Sequence, residues 1–111
     1  MSTRNKLWVF SAPVITNAGT YNYRVISVEE AKYLISQQGM MSAVGHEATA
    51  KLLTELLGAY VYENRIFATM KVGDRAIAFR PLQRIPEGTV IRTIDELKKI
   101  GYELGLIERI A

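Results

Sequence analysis

Across its 111 residues the chain has no cysteine, a single histidine and only three prolines. Without thiols there is no disulfide framework, no cysteine nucleophile and no cysteine-ligated metal site, and the default compartment is the cytoplasm. One histidine, His46, cannot supply a clustered zinc site from one chain, and a histidine pair for acid–base work would need a second copy. Long hydrophobic runs are missing too: nothing approaches the roughly 20 residues of a membrane-spanning helix. The basic start, Met1 to Lys6, is followed by an apolar stretch of only Leu7 to Phe10 before Pro13, which argues against a secretory signal. No sign of charge dominates. Fourteen Lys and Arg against eleven Asp and Glu leave +3, an excess that suits an anionic ligand without demanding one.

What is present is an ordinary globular composition, 49% hydrophobic and 23% charged, too apolar for a disordered chain. With no repeat, low-complexity tract or linker, residues 1–111 read as one domain. Leu7-Trp8-Val9-Phe10 reads as a strand buried on both faces, and Tyr21 to Ile26 as a second, edge-like strand. Ser27-Val28-Glu29-Glu30 has the form of a capping box, with Glu30 reaching back, and opens a helix that Gly39 stops after about Gln38. Val44, Ala48, Leu52, Leu53, Leu56 and Leu57 recur at helical spacing up to Gly58, with Glu47, Lys51 and Glu55 along the opposite face. Val61–Met70 and Arg75–Arg80 read as strands joined through Lys71-Val72-Gly73-Asp74 into a hairpin. Pro86-Glu87-Gly88 marks a turn, Thr93 to Glu96 a second capping box opening a helix to about Gly101, and Tyr102–Ile110 a closing strand. Roughly five strands and three helices in this order predict an α+β (α/β-like) domain with a mixed sheet.

The candidate chemistry gathers on few residues. His46 follows Gly45 where a helix begins, and a helix N-terminus offers outward amides and partial positive charge to a phosphate. Gly45 lets a ligand approach the backbone, and a histidine there can give a proton to a leaving oxygen. The bland alternative is a histidine near a cap with no task. Asn64-Arg65 opens one predicted strand, and Arg80, Arg84 and Arg92 lie around the next strand and its exit. An arginine fork suits a pair of phosphate oxygens, and Glu87, three residues after Arg84, can hold that fork; the alternative is strand-end arginines that meet only solvent. In the loop Ser11 to Asn17, after the first strand, Ser11 and Thr16 can donate to phosphate or ribose or merely cap the turn. The tyrosines and Phe67 sit at strand spacing, which favours packing over base stacking. No Walker loop or dinucleotide glycine fingerprint is present.

Ser42-Ala43-Val44-Gly45-His46-Glu47-Ala48-Thr49, then Asn64-Arg65, Gly73-Asp74-Arg75-Ala76 and Arg84-Ile85-Pro86-Glu87-Gly88, together resemble the YddF-like family of small viral, phage and prokaryotic proteins. Some members are viral ring nucleases, anti-CRISPR proteins directed against type III immunity. The resemblance runs from about Leu7 to Ile110. It implies a homodimer that binds cyclic tetra-adenylate and cuts it, without metal or other cofactor, into linear di-adenylate with 2′,3′-cyclic phosphate ends. It further implies His46 as the general acid, Glu87 as the acidic residue beside the arginines, and Arg65 and Arg84 as phosphate ligands. Gly45, Asn64 and either Ser11 or Thr16 complete the implied substrate contacts; many members carry Asn-Ala or Asn-Thr where this chain has Ser11-Ala12.

The residues agree with that chemistry. Attack by the substrate's own 2′-hydroxyl needs neither a protein nucleophile nor a metal, only an acid and donors for the developing charge. A two-fold dimer would present the same groups to equivalent phosphates of a ring. No membrane and no long nucleic acid is expected as partner. Two further classes stay open at this point: a dimer that binds a cyclic oligonucleotide or RNA without cutting it, and a regulatory interaction protein in which the motif is idle.

Overall fold

The elements are β1 (Leu7–Phe10), β2 (Tyr21–Ile26), α1 (Val28–Gln38), β3 (Met41–Ala43), α2 (Glu47–Leu57), β4 (Arg75–Pro81), α3 (Ile94–Ile100) and β5 (Tyr102–Arg109). They come from a computed structural model that describes residues 5–83, 88 and 91–111. The strands form one five-stranded sheet in the order β2-β5-β4-β1-β3. β1 pairs in parallel with β3 and β4, while β5 runs antiparallel to β4 and β2. The expected α+β fold with a mixed sheet and three helices is what the described residues form.

Side chains alternate along each strand, so β1 divides its four buried residues between two faces. Leu7 and Val9 join Ile77, Phe79, Leu104 and Leu106 under the helices, while Trp8 and Phe10 join Ala76, Ala78 and Ile107 on the other face. Helix α2 anchors the first face through Leu52, Leu53, Leu56 and Leu57, each such burial contributing about 1.5–3 kcal/mol. Gly58 ends it in the left-handed conformation at φ 67°, which a glycine adopts without steric cost. Across its exposed side Lys51 meets Glu47 at 3.0 Å, a surface pair at the favourable four-residue spacing.

Both capping boxes hold their first bond, from the Glu30 amide to Ser27 Oγ (3.0 Å) and from the Glu96 amide to Thr93 Oγ1 (3.1 Å). The reciprocal arm differs. Glu30 does not reach back; its carboxylate accepts from Arg24 on β2 at 2.5 Å, because the bidentate guanidinium is a stronger donor than a cap amide.

Two expectations are overturned. Val61–Met70 is not a strand and forms no hairpin with Arg75–Arg80, since both edges of β4 are already taken by β1 and β5. The segment runs extended, with only Glu63 bridging to Val44, and its backbone is fastened by side chains instead. Asn17 donates to the Met70 carbonyl and accepts from the Met70 amide (3.0 and 3.1 Å), and the Thr16 hydroxyl donates to the Ala68 carbonyl. The Lys71–Asp74 turn does form, with the buried Asp74 carboxylate accepting from the Lys71 and Lys6 amides. The second correction concerns Val44. It precedes α2 rather than riding on it, and the three residues before it, Met41–Ala43, form the fifth strand. The closing strand ends at Arg109, one residue before the expected Ile110. No helix among the described residues is long and apolar enough to cross a membrane.

Candidate functional site

β1 and β3 run in parallel with Phe10 opposite Ala43, so the residues that follow them emerge at the same edge of the sheet. Open sheets with parallel strands hold ligands at this edge. From β1 comes Ser11; from β3 come Val44, Gly45 and His46. His46 is the N-cap of α2, in extended conformation (φ −133°, ψ 130°), and its carbonyl accepts the first helical bond from Ala50 at 2.9 Å. Its imidazole makes no capping hydrogen bond and is exposed. The leading amides of α2 have no partner within the helix, and the helix dipole adds partial positive charge beside them.

This turn is held from outside by residues 62–65. Ser42, fully buried, donates its hydroxyl to the Tyr62 carbonyl (2.6 Å) and accepts from the Val44 amide (3.2 Å). The Asn64 side-chain amide donates to the Ser42 carbonyl (2.8 Å), and the Asn64 backbone amide to the Val44 carbonyl (2.7 Å). Arg65 follows with Nε and Nη2 donating to the Gly45 carbonyl at 3.3 and 3.2 Å. The strand-to-helix turn is therefore preset by its neighbours, and His46 is carried on a rigid support.

Of the residues named from the sequence, Gly45, His46, Asn64 and Arg65 stand together, with Ser11 at the adjoining strand end. Asn64 spends its side chain on the turn, so its role is to position rather than to touch a ligand. Arg65 is exposed and uses two donors on Gly45. Thr16 lies further along the loop, its hydroxyl proton committed to Ala68. Arg84 and Glu87 lie outside the described residues. Arg80 points elsewhere: it pairs with Glu103 at 2.6 Å, and that hydrogen bond raises the guanidinium pKa further above its usual range.

Two cations stand beside the helix start, one a candidate arginine of the sequence and the other expected only on an exposed helix face. Arg92 and Lys51 line a cleft of about 390 Å³ together with Glu47 and Ala48, the first two residues of α2. Arg92 stands in the sequence among the arginines after β4, but nothing in the spacing ties it to α2. Lys51 reads as the surface partner of Glu47. Ser42 opens the Ser42–Thr49 motif, but nothing in the sequence gives it a role; that shows only once Tyr62 is seen beside it.

A family model described as STIV B116-like matches residues 7–104. The chain belongs to the STIV B116-like family. Among its relatives, uncharacterized protein 26 of Sulfolobus islandicus filamentous virus (isolate Iceland/Hveragerdi) is 42% identical over 83 residues, covering 75% of this chain and 70% of that protein. The uncharacterized protein YddF of Bacillus subtilis (strain 168) is 34% identical over 100 residues, covering 87% and 91%. The B116-like fold is seen in a solved relative, B116 of Sulfolobus turreted icosahedral virus. It superposes with a TM-score of 0.74 at 21% identity, over 95% of this chain and 100% of that one. At that identity the likeness is one of fold.

Proposed function

We propose that this chain is a ring nuclease that binds cyclic tetra-adenylate and opens it to linear di-adenylate, acting as a homodimer to switch off type III CRISPR signalling. The observation that carries the reading is the state of His46: an exposed imidazole with no hydrogen-bond partner among the described residues, at the start of α2, beside Gly45 and Arg65 on a braced turn. That is where a phosphodiester can sit against helix amides while a proton donor lies next to its leaving oxygen.

In the proposed reaction, at each of two phosphates of the ring, the ribose 2′-hydroxyl loses its proton to solvent and its oxygen bonds to the adjacent phosphorus as the P–O5′ bond breaks. His46 protonates the departing O5′, and the product keeps a 2′,3′-cyclic phosphate. The nucleophile belongs to the substrate, so the mechanism calls for no metal. Amides of the first helical turn, Arg65 and Arg92 meet the charge on the phosphorane; the resemblance adds Arg84 to them and Glu87 as the carboxylate that holds the Arg84 fork. Preorganised donors of this kind supply several kcal/mol. In a virus the activity would disable host immunity; in a cell it would end the cell's own response.

The test is incubation of the purified protein with cyclic tetra-adenylate in a chelator, followed by chromatography of the products. Linear di-adenylate bearing 2′,3′-cyclic phosphate is expected. Tight binding with the ring left intact would replace the nuclease with a sequestering protein.

A further inference from the structure

We propose that the hollow at the ends of β1 and β3 seats a nucleobase of the ligand whose phosphate lies at His46. The inference rests on reading the His46 turn as a phosphodiester site, and it assigns a place to the part of the ligand that site does not touch.

The hollow lies between the loop after β1 and the extended segment at residues 66–68, and its volume is about 100 Å³. Sites for whole drug-sized ligands span roughly 300–1,000 Å³, so this one has room for a single ring system and not for a complete nucleotide. Phe10 forms one wall, Val14 and Ile66 add branched aliphatic contact, and between them only the methyls of Ala12, Ala43 and Ala68 complete the apolar lining. Such a surface accepts a flat aromatic face. None of its described lining residues is charged, which disfavours a phosphate here while helix amides and arginines stand nearby.

The polar groups are two hydroxyls, Ser11 and Thr16. Thr16 has committed its proton to the Ala68 carbonyl, so its oxygen remains as an acceptor, while Ser11 brings donor and acceptor capacity. An apolar ring with amine and ring-nitrogen groups on its edge matches that pairing. Purely aliphatic contact with a protein partner would gain nothing from either hydroxyl. Ala43 stands three residues before His46, so their Cα atoms are at most about 11 Å apart. Base and phosphate of one nucleotide unit can therefore be served by adjoining parts of one strand end.

The experiment uses the full chain with labelled alanine methyls and backbone amides, titrated separately with adenosine 5′-monophosphate, ribose 5-phosphate and inorganic phosphate. All three probes are expected to shift the Gly45 and His46 amides. Only adenosine 5′-monophosphate is expected to shift the Ala12, Ala43 and Ala68 methyls and to bind about tenfold more tightly than ribose 5-phosphate, as stacking of one base provides. Ala12→Leu and Ala43→Leu narrow the hollow from a loop and from a strand, so one misfolded variant leaves the other informative. Each should abolish the tenfold preference and leave ribose 5-phosphate affinity unchanged.

Unmoved methyls at saturating adenosine 5′-monophosphate overturn the base seat, whether or not phosphate binds. Shifts at Gly45 and His46 missing for all three probes would instead undo the phosphodiester reading, a different failure. A change of oligomeric state in both variants without a change in the preference assigns the hollow to a second copy of the chain, and also overturns the proposal.

Discussion

The two faces of the sheet grow from the same strands and are stabilised in different ways. Under the helices, large aliphatic side chains interlock: Leu7, Leu53, Ile77, Leu97 and Leu104 have almost no exposed surface. On the other face the strands carry Ala76, Ala78 and Gly105, and no helix among the described residues packs against them. There Tyr23 lies across the β5 backbone, so close that a Cβ on Gly105 would meet its ring at 2.3 Å. The rest of the cover is the loop after β1 and the 66–70 segment, tied down by Thr16 and Asn17. Val14, Ile15 and Ile66 remain exposed around that cover, and Phe67 is 90% exposed. One face is built by packing and the other by directed hydrogen bonds. The candidate site sits where the two meet, with His46 on the packed side's helix and Arg65 on the hydrogen-bonded strap.

That contrast predicts which substitutions separate activity from stability. The largest effect is expected at the seam. His46→Ala should lower cleavage of cyclic tetra-adenylate by about 10²–10⁴-fold, the usual worth of a positioned general acid. It should leave the urea midpoint unchanged, because the imidazole makes no capping bond. A variant with wild-type single-turnover rate would remove His46 from the chemistry. Next comes the packed face. Leu53→Ala, at a position with no exposed surface, should cost about 2–5 kcal/mol of unfolding free energy. Phe67→Ala on the open face should cost almost nothing, and denaturant titration of the two variants side by side reads the difference directly.

The packed face was legible in the sequence because its physics is periodic. The apolar stripe of α2, its stop at Gly58 and the two cap serine and threonine residues all announce themselves locally. The hydrogen-bonded face was not. Val61–Met70 alternates enough to read as a strand, yet whether it pairs depends on a free edge of β4, and β1 and β5 come from distant parts of the chain. The short strand Met41–Ala43 was hidden for the same reason: three residues carry too little pattern to be seen. Within the site, Gly45 and His46 stood out as a glycine before a helix start. The brace did not, since Asn64 looks like a ligand residue until its amide is found on the Ser42 carbonyl. Arg92 stood among the candidate arginines, but its place beside Glu47, Ala48 and Lys51 depends on how the chain after β4 returns to α2.

The strap itself gives a third, smaller effect. Asn17 holds both the carbonyl and the amide of Met70, at 3.0 and 3.1 Å. Asn17→Ala leaves those part-buried backbone groups without their partner and should cost about 1–3 kcal/mol. Hydrogen exchange should localise the loss: amides of 66–70 lose protection while those of α2 keep it. Uniform loss across both faces would mean that the strap is part of one cooperative core, and the distinction between the faces would fall.

The smallest effect belongs to the exposed pair that links β2 to α1. Arg24 and Glu30 meet at 2.5 Å with both side chains well exposed, a setting in which solvent screens most of the attraction. The Arg24 hydrogen bond holds the Glu30 carboxyl below its ordinary range. A carboxyl whose pKa is lower in the folded chain than in the unfolded one adds stability that is complete above the unfolded value and fades as pH falls through the folded one. Glu30→Gln should therefore lie slightly below the wild type in thermal midpoint at neutral pH, with the two curves converging in acid. The Ser27 cap is untouched by this change, since it is the Glu30 amide that donates to it. A gap that persisted in acid would show that the carboxylate acts through something other than Arg24, and that the edge of β2 is fastened to α1 by more than this ion pair.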